Sequence, residues 1–373
     1  MMYEYLIFLR NTVTGFLYRR VFKKFFFAID PEKVHDGIIV LGRMLGGNSM
    51  TRMMTAMAFG YSNKSLEQNI LGTHFKNPVG LSAGFDKDAE LTDIIPSVGF
   101  GFEEIGSVTG EPCEGNPKPR LWRLPRSKAL VVYYGLKSRG CEYIAQTLRN
   151  KKFYFPIGVN IAKTNSKDTI DCRRGVQDYC KAFCTCIDVG DYFTINISCP
   201  NTFGGEPFTD PERLDILLSE IDAIPTAKPI FLKLSPDLDT KDIDAILAVV
   251  SRHRIHGFVC TNLTKKRENA KILESCPSLG GISGKVVEGL ANRVIEYIYR
   301  ATKGKYVIIG CGGVFTAEDA YKKIRSGASL IQLITGMVFE GPQVVGDINR
   351  GLARLLQKDG FKNINEVVGI DAV

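Results

Sequence analysis

Residues 192–205, YFTINISCPNTFGG, run from a β-branched apolar stretch straight into Ser198-Cys199-Pro200-Asn201-Thr202. A polar cluster at the end of an apolar strand is where barrel and open-sheet α/β proteins build their sites. Cys199 has four roles open to it there: nucleophile, metal ligand, general base, or none. Metal ligation lacks the paired Cys-x-x-Cys spacing of a metal site. The triplet Cys180, Cys184 and Cys186 lacks it too, and its helix-like setting is that of semi-buried thiols. A covalent nucleophile wants a neighbouring histidine, and His35, His74, His253 and His256 all fall off the expected strand ends. A base role fits the thiol, whose unperturbed pKa of about 8.5 brings its anion near neutrality far more readily than a hydroxyl's.

Other residues at strand ends carry complementary chemistry. Lys233, in FLKLSPD, stands on an apolar stretch, where an unpaired ammonium is costly; pointing into a site, it would stabilise negative charge on a reduced ring. Lys87, in SAGFDKDAE, is placed to clamp an anion. Asn160, Asn196, Asn201 and Asn262 offer both donors and acceptors, as recognition of a ring with adjacent C=O and N–H groups requires. The glycines of IIGCGGVF and ITG suit a phosphate site, where backbone N–H groups and a helix N-terminus meet an anion. The spacing of GCGG is not the dinucleotide fingerprint G-x-G-x-x-G.

Eight short apolar runs position these groups: 77–84, 100–108, 155–162, 192–198, 229–235, 257–263, 306–313 and 329–336. Amphipathic helical stretches lie between them, among them 211–223, 240–252, 288–302 and 316–326. Strands alternating with helices imply a parallel sheet, and eight of them close an α/β (β/α)8 TIM barrel whose strand ends share one face. Residues 111–134, rich in Pro and Arg and then β-like, are expected to form a hairpin over that face.

The 373 residues allow two domains, and 45% hydrophobic with 24% charged residues is ordinary for a folded chain. The net charge of +8 is spread along the chain with no nucleic-acid-binding signature, so no nucleic-acid partner is expected. With no secretory signal evident, the ten cysteines read as thiols in a reducing compartment. No metal is expected. Residues 1–30 interleave Phe, Tyr and Leu with Arg10, Arg19, Arg20, Lys23 and Lys24, without the uncharged run of about 18 residues that a spanning helix needs. Such a segment suits a helix lying in a membrane interface, or one packed on its own globular body. Asp30-Pro31-Glu32 starts a further helix that stops at Gly46-Gly47. The expected organisation is an N-terminal helical, membrane-associating domain at 1–65 and a barrel at 66–373.

Taken in order, NPVGLSAGFDKD, EIGSVT, GNPKPRLWRLP, NISCPNT, LKLSPDL, TNLT, GGISGK, IIGCGGV and GASLIQLITG resemble the dihydroorotate dehydrogenase family over nearly the whole chain. The resemblance implies a barrel with FMN across the strand ends, oxidising dihydroorotate to orotate in pyrimidine synthesis. Its N-terminal segment is similar to that of the membrane-associated class, which passes electrons to a quinone. On matching positions the family's FMN is held by Ala83, Gly84, Lys87, Ser107, Asn160, Asn196, Lys233, Thr261, Ser283, Gly284, Gly312, Gly313, Thr335 and Gly336. Its substrate is held by Lys87, Asn196, Asn201 and Asn262, its base falls on Cys199, and its quinone site includes Arg123. The implied location is a peripheral one facing a reducing compartment, on the cytoplasmic side of a bacterial inner membrane or on an organelle membrane.

The chain departs from the family pattern at four places. Cysteine at the base position belongs to the soluble classes, whereas the membrane-bound class carries serine. Val132 and Lys137 replace two asparagines, Lys137 standing where it could pair with the substrate carboxylate, and Ile334 replaces a tyrosine of the quinone site. These departures keep a second reading in view, a related FMN oxidoreductase acting on another pyrimidine or an enone, or using a non-quinone acceptor. A third is a membrane-bound barrel kept for binding or assembly without turnover.

Overall fold

The computed structural model describes residues 2–149, 151–269 and 271–372. Eight of the apolar runs form strands: β1 (Val79–Leu81), β2 (Phe102–Val108), β3 (Ile157–Ile161), β4 (Tyr192–Asn196), β5 (Ile230–Leu234), β6 (Gly257–Cys260), β7 (Val307–Cys311) and β8 (Leu330–Leu333). They pair in parallel, each with its sequence neighbours, and β8 returns to β1 to close the barrel. Helices cover the outside, so the strands are buried on both faces and read as continuous apolar runs.

The two-residue strand period sends alternate side chains inward. The inward set at the bottom is apolar: Phe102, Tyr192, Phe231, Val259, Ile309 and Leu330 form one cluster. Glycines make room for the rings, since a Cβ on Gly158 would sit 2.1 Å from the Tyr192 ring. Higher up the same strands the inward residues become polar, which places the chemistry at the C-terminal mouth.

Residues 121–124 and 129–132 form the expected hairpin, extended to a three-stranded sheet by Gly281–Gly284. That third strand brings Ser283 and Gly284 from far along the chain.

At the N-terminus, α1 (Met2–Leu17) runs through a wider π-helical turn, Tyr18–Phe22, into α2 (Lys23–Ala28). Then come α3 (Pro31–Gly46) and α4 (Ser49–Phe59). The Asp30 carboxylate caps α3, accepting from the Glu32 and Lys33 N–H groups at 3.0 Å each. One side of α1 is packed on the barrel's last long helix, Val344–Asp359: Ile7 and Asn11 are buried, and Asn11 Nδ2 donates to Asp347 at 2.8 Å. The other side leaves Leu6, Leu9, Val13 and Phe16 exposed, joined by Val40, Leu41 and Met44 on α3 and Met50, Met53, Met54 and Met57 on α4. The helix is thus packed on its own globular body along one side and leaves apolar side chains exposed along the other. Its basic residues are not all turned outward with that face: Arg10 donates to the Met57 and Gly60 carbonyls at 2.8 and 2.9 Å, tying α1 to α4. Among the described residues no helix is long and apolar enough to cross a membrane.

Candidate active site

A continuous cavity of about 370 Å³ runs from the barrel mouth, under the hairpin, to α2 and α3. This is within the usual range for small-molecule and cofactor sites. Its walls include Ala83, Gly84, Lys87, Ser107, Asn196, Cys199, Asn201, Lys233, Thr261, Asn262, Ser283, Gly284, Gly312, Gly313, Thr335 and Gly336 on the barrel side. Tyr134 and Lys137 follow the hairpin; Tyr18, Phe26, Phe27, Val34, His35 and Ile38 close the N-terminal end.

The floor rests on a carboxylate that the strand period turns inward. Glu104, fully buried on β2, accepts from Asn160 Nδ2 at 2.7 Å, Gln332 Nε2 at 2.9 Å and Thr194 Oγ1 at 3.1 Å. Lys233 Nζ lies 4.0 Å from Glu104 Oε1, the oxygen that accepts from Asn160, so the buried ammonium has a counter-charge. Asn160 is spent within this layer: its Oδ1 accepts from Ser107 Oγ at 2.5 Å and from Asn196 Nδ2 at 3.2 Å. It therefore lies beneath the cavity wall and acts on the site through Ser107 and Asn196. Asn196 Oδ1 in turn takes Ser198 Oγ at 3.1 Å and Asn262 Nδ2 at 3.3 Å. Neither Glu104, the second of two adjacent glutamates, nor Gln332, one polar residue in an apolar run, stood out in the sequence; the inward period of β2 and β8 is the signal that could have found them.

Cys199 follows β4 on a loop held from several sides. Asn201 Nδ2 donates to the Val132 carbonyl at 2.8 Å, and Asn116 Nδ2 to the Asn201 carbonyl at 2.9 Å. The Asn201 amide is thus engaged by the hairpin backbone, while its residue still lines the cavity. Burial pushes the Cys199 thiol up to about 11; the Asn201 N–H and the charges of Lys163 and Lys233 act downward, and Glu206 acts upward. The unperturbed thiol pKa assumed from sequence is therefore too low for this site, because Cys199 is half-buried in the cavity wall and the surrounding chain weakens the solvation of its anion.

Lys87 stands over the Tyr134 ring, 4.2 Å from its centroid, with His35 Nε2 at 3.4 Å. Burial and the charge of Lys137 push Lys87 down to about 8. His35, placed off the strand ends by the sequence, nevertheless lines the cavity, because α3 packs across the barrel mouth. Its Nε2 lies 2.8 Å from the Phe85 carbonyl, and burial with the charge of Lys87 lowers it to about 4, so it is neutral at pH 7.

At the glycine-lined end, Ser283 and Thr335 hydroxyls meet at 2.8 Å. Gly313 has a φ of +78°, and a Cβ there would stand 2.4 Å from Glu288 Cβ, so only glycine fits. At the opposite end Arg123 donates to the Ile29 carbonyl at 2.7 Å, its guanidinium 4.8 Å from the Phe27 ring centroid, and burial lowers its pKa. Ile334 lines the same cavity. The cysteines of the helix Cys172–Cys186 stay separate from the site, with Cys186 buried, Cys180 half-buried and Cys184 exposed. Among the described residues no cluster of three or more His, Cys, Asp or Glu side chains could hold a metal ion.

The family model described as dihydroorotate dehydrogenase matches residues 65–356. A protein of Crocosphaera subtropica named dihydroorotate dehydrogenase (quinone) is 42% identical over 326 residues, covering 84% of this chain and 85% of the relative. One of Haloarcula marismortui with the same name is 38% identical over 351 residues, covering 94% and 98%. The crystal structure of the Eimeria tenella enzyme DHODH in complex with ferulenol superposes with a TM-score of 0.81 at 29% identity, covering 92% of this chain and 96% of that one. With its closed parallel barrel and these relatives along most of its length, the chain belongs to the dihydroorotate dehydrogenase family, in its quinone class.

Proposed function

We propose that this protein oxidises dihydroorotate to orotate with FMN, a step of pyrimidine synthesis, and passes the electrons to a quinone. The observation that carries the reading is the single cavity joining the barrel mouth to the N-terminal helices, with Lys87, Asn196, Cys199 and Lys233 on one stretch of wall and Arg123 beyond them. The wall fits a flavin mononucleotide. Its glycine end leaves backbone open to a phosphate, Lys233 supplies positive charge at the floor, and Gln332 Oε1 is buried there without a hydrogen-bond partner among the described residues, an acceptor for a ring N–H. Ala83, Gly84, Ser107, Thr261, Ser283, Gly284, Gly312, Gly313, Thr335 and Gly336 would hold the cofactor, with Asn160 supporting from below. When bound, FMN supplies the two-electron acceptor for the hydride leaving the substrate.

The remaining chemistry belongs to the chain. Lys87 and Lys137 pair with the substrate carboxylate, Asn196, Asn201 and Asn262 orient its ring, and Cys199 Sγ takes the proton from the carbon next to the one that loses hydride. The exposed apolar faces of α1, α3 and α4 give residues 1–65 the character of a peripheral membrane domain beside the quinone entrance. Anaerobic mixing of the FMN-loaded protein with dihydroorotate should bleach the flavin band, and a quinone should restore it; a band that stays unchanged on mixing overturns the reading.

One observation favours a second reading, an FMN oxidoreductase for another pyrimidine or an enone, or one using a different acceptor. Lys137 joins Lys87 at the cavity wall, and Val132 offers only a carbonyl, already bonded to Asn201. Bleaching by such a substrate in place of dihydroorotate would select it.

A further inference from the structure

Lys163 follows β3 and Cys199 follows β4, and these adjacent strands pair up to Ile161 and Ile195. The chain therefore brings both residues to neighbouring positions just above the barrel rim. Lys163 is only 3% exposed. Its ammonium donates to the Phe203 carbonyl at 2.9 Å, on the loop that carries Cys199, and to Thr169 Oγ1 at 3.4 Å. Both acceptors are neutral. Among the described residues no carboxylate comes within 4.0 Å of it; Asp178, which acts on it from farther away, is occupied by the Thr164 N–H and hydroxyl at 2.7 Å each and by the Gly110 N–H at 3.3 Å. A buried cation with only neutral partners leaves its charge uncompensated.

We propose that Lys163 is the counter-ion of the Cys199 thiolate, a positioning residue that makes the proton-accepting form of that sulfur accessible. The inference rests on the base role of Cys199. Deprotonation sends the thiol proton to solvent, and the anion left on sulfur completes an ion pair with the waiting ammonium. The same sulfur then accepts the substrate proton as the C–H bond breaks and the S–H bond forms. Other ionisable groups face the pair. Lys233 on β5 favours the anion, Glu206 opposes it, and Tyr179 is electrostatically coupled to Cys199; Asp178 and Cys113 act on Lys163.

The test follows Cys199 alkylation by iodoacetamide in the FMN-loaded protein as a function of pH, with the Cys199 peptide quantified by mass spectrometry. Lys163→Gln and Lys163→Met should lower the alkylation rate at a fixed pH of about 9 by roughly ten- to a thousandfold, which places the midpoint one to three pH units higher, the range for losing a nearby opposite charge. Lys163→Arg should leave the midpoint near the wild-type value, and the pH dependence of flavin reduction should follow the same order. An unmoved midpoint in a charge-free variant that retains FMN overturns the proposal. If neither charge-free variant retains FMN, Lys163→Arg decides alone: a midpoint that moves shows Lys163 to be a shape-dependent loop anchor. Failure of the base role itself would read differently, as undiminished flavin reduction in Cys199→Ala, with the Lys163 effect on alkylation intact.

Discussion

At the scale of single residues, the site is a problem of holding charges out of water. Lys233 is offset by Glu104, Lys87 sits on the Tyr134 ring, and the charges of Lys163 and Lys233 act against the burial of Cys199 while Glu206 acts with it. A base works only when deprotonated, and burial raises the pKa of Cys199, so flavin reduction at limiting substrate should rise as pH increases through the neutral and alkaline range. Cys199→Ala should slow that reduction by about 10²–10⁴-fold while leaving FMN bound, since the sulfur contributes proton transfer and the cofactor is held elsewhere. Stopped-flow absorbance of the flavin band measures both, and a variant as fast as wild type removes Cys199 from the mechanism.

At the scale of elements, each strand divides its work by parity. On β2, Glu104 faces inward and organises the floor, while its neighbour Glu103 faces outward into the core beside Asp86. Burial raises Asp86 to about 6, and burial together with Asp86 raises Glu103 well above the carboxylate range. Folded pKa values above the unfolded ones mean that the folded state binds the extra protons. The stability linked to Asp86 is therefore fully present below about pH 3.8 and is lost as pH rises through about 6. Glu103→Gln, which mimics the protonated acid, should gain melting temperature relative to wild type between pH 5 and pH 8, at roughly 1–2 °C per kcal/mol for a chain of this length. Parallel melting curves at the two pH values check this, and a constant difference counts against a proton bound by Glu103 on folding.

At the scale of the whole molecule, two parts of unlike character meet at one cavity. The barrel supplies polar strand ends, and the N-terminal helices supply an aromatic passage on the inside and exposed apolar side chains on the outside. Removing residues 1–30 takes away α1 and α2 but leaves the barrel wall with Lys87, Cys199 and Lys233. The truncated protein should co-sediment with anionic phospholipid vesicles at least about tenfold less, a loss of about 1.4 kcal/mol or more. Its quinone reduction should fall more than its flavin reduction by substrate. Equal vesicle recovery of the two forms would separate these helices from membrane binding.

The strands were legible from sequence because parallel strands buried on both faces carry uninterrupted β-branched and apolar runs, and the N-terminus of α3 because Asp30-Pro31 writes a cap directly into the chain. The polar ends of those runs also marked most of the cavity wall, since in a barrel they must share one face. Tertiary structure alone decided which of these groups touch. It sank Asn160 below the wall, brought His35 in from α3, carried the already expected Ser283 to the site on a third hairpin strand, and set Lys163 beside the loop of Cys199. Local sequence encodes backbone period and capping, which act over a few residues. Burial, and with it the protonation of Cys199, Lys87 and His35, depends on groups contributed from other elements, tens of residues away along the chain.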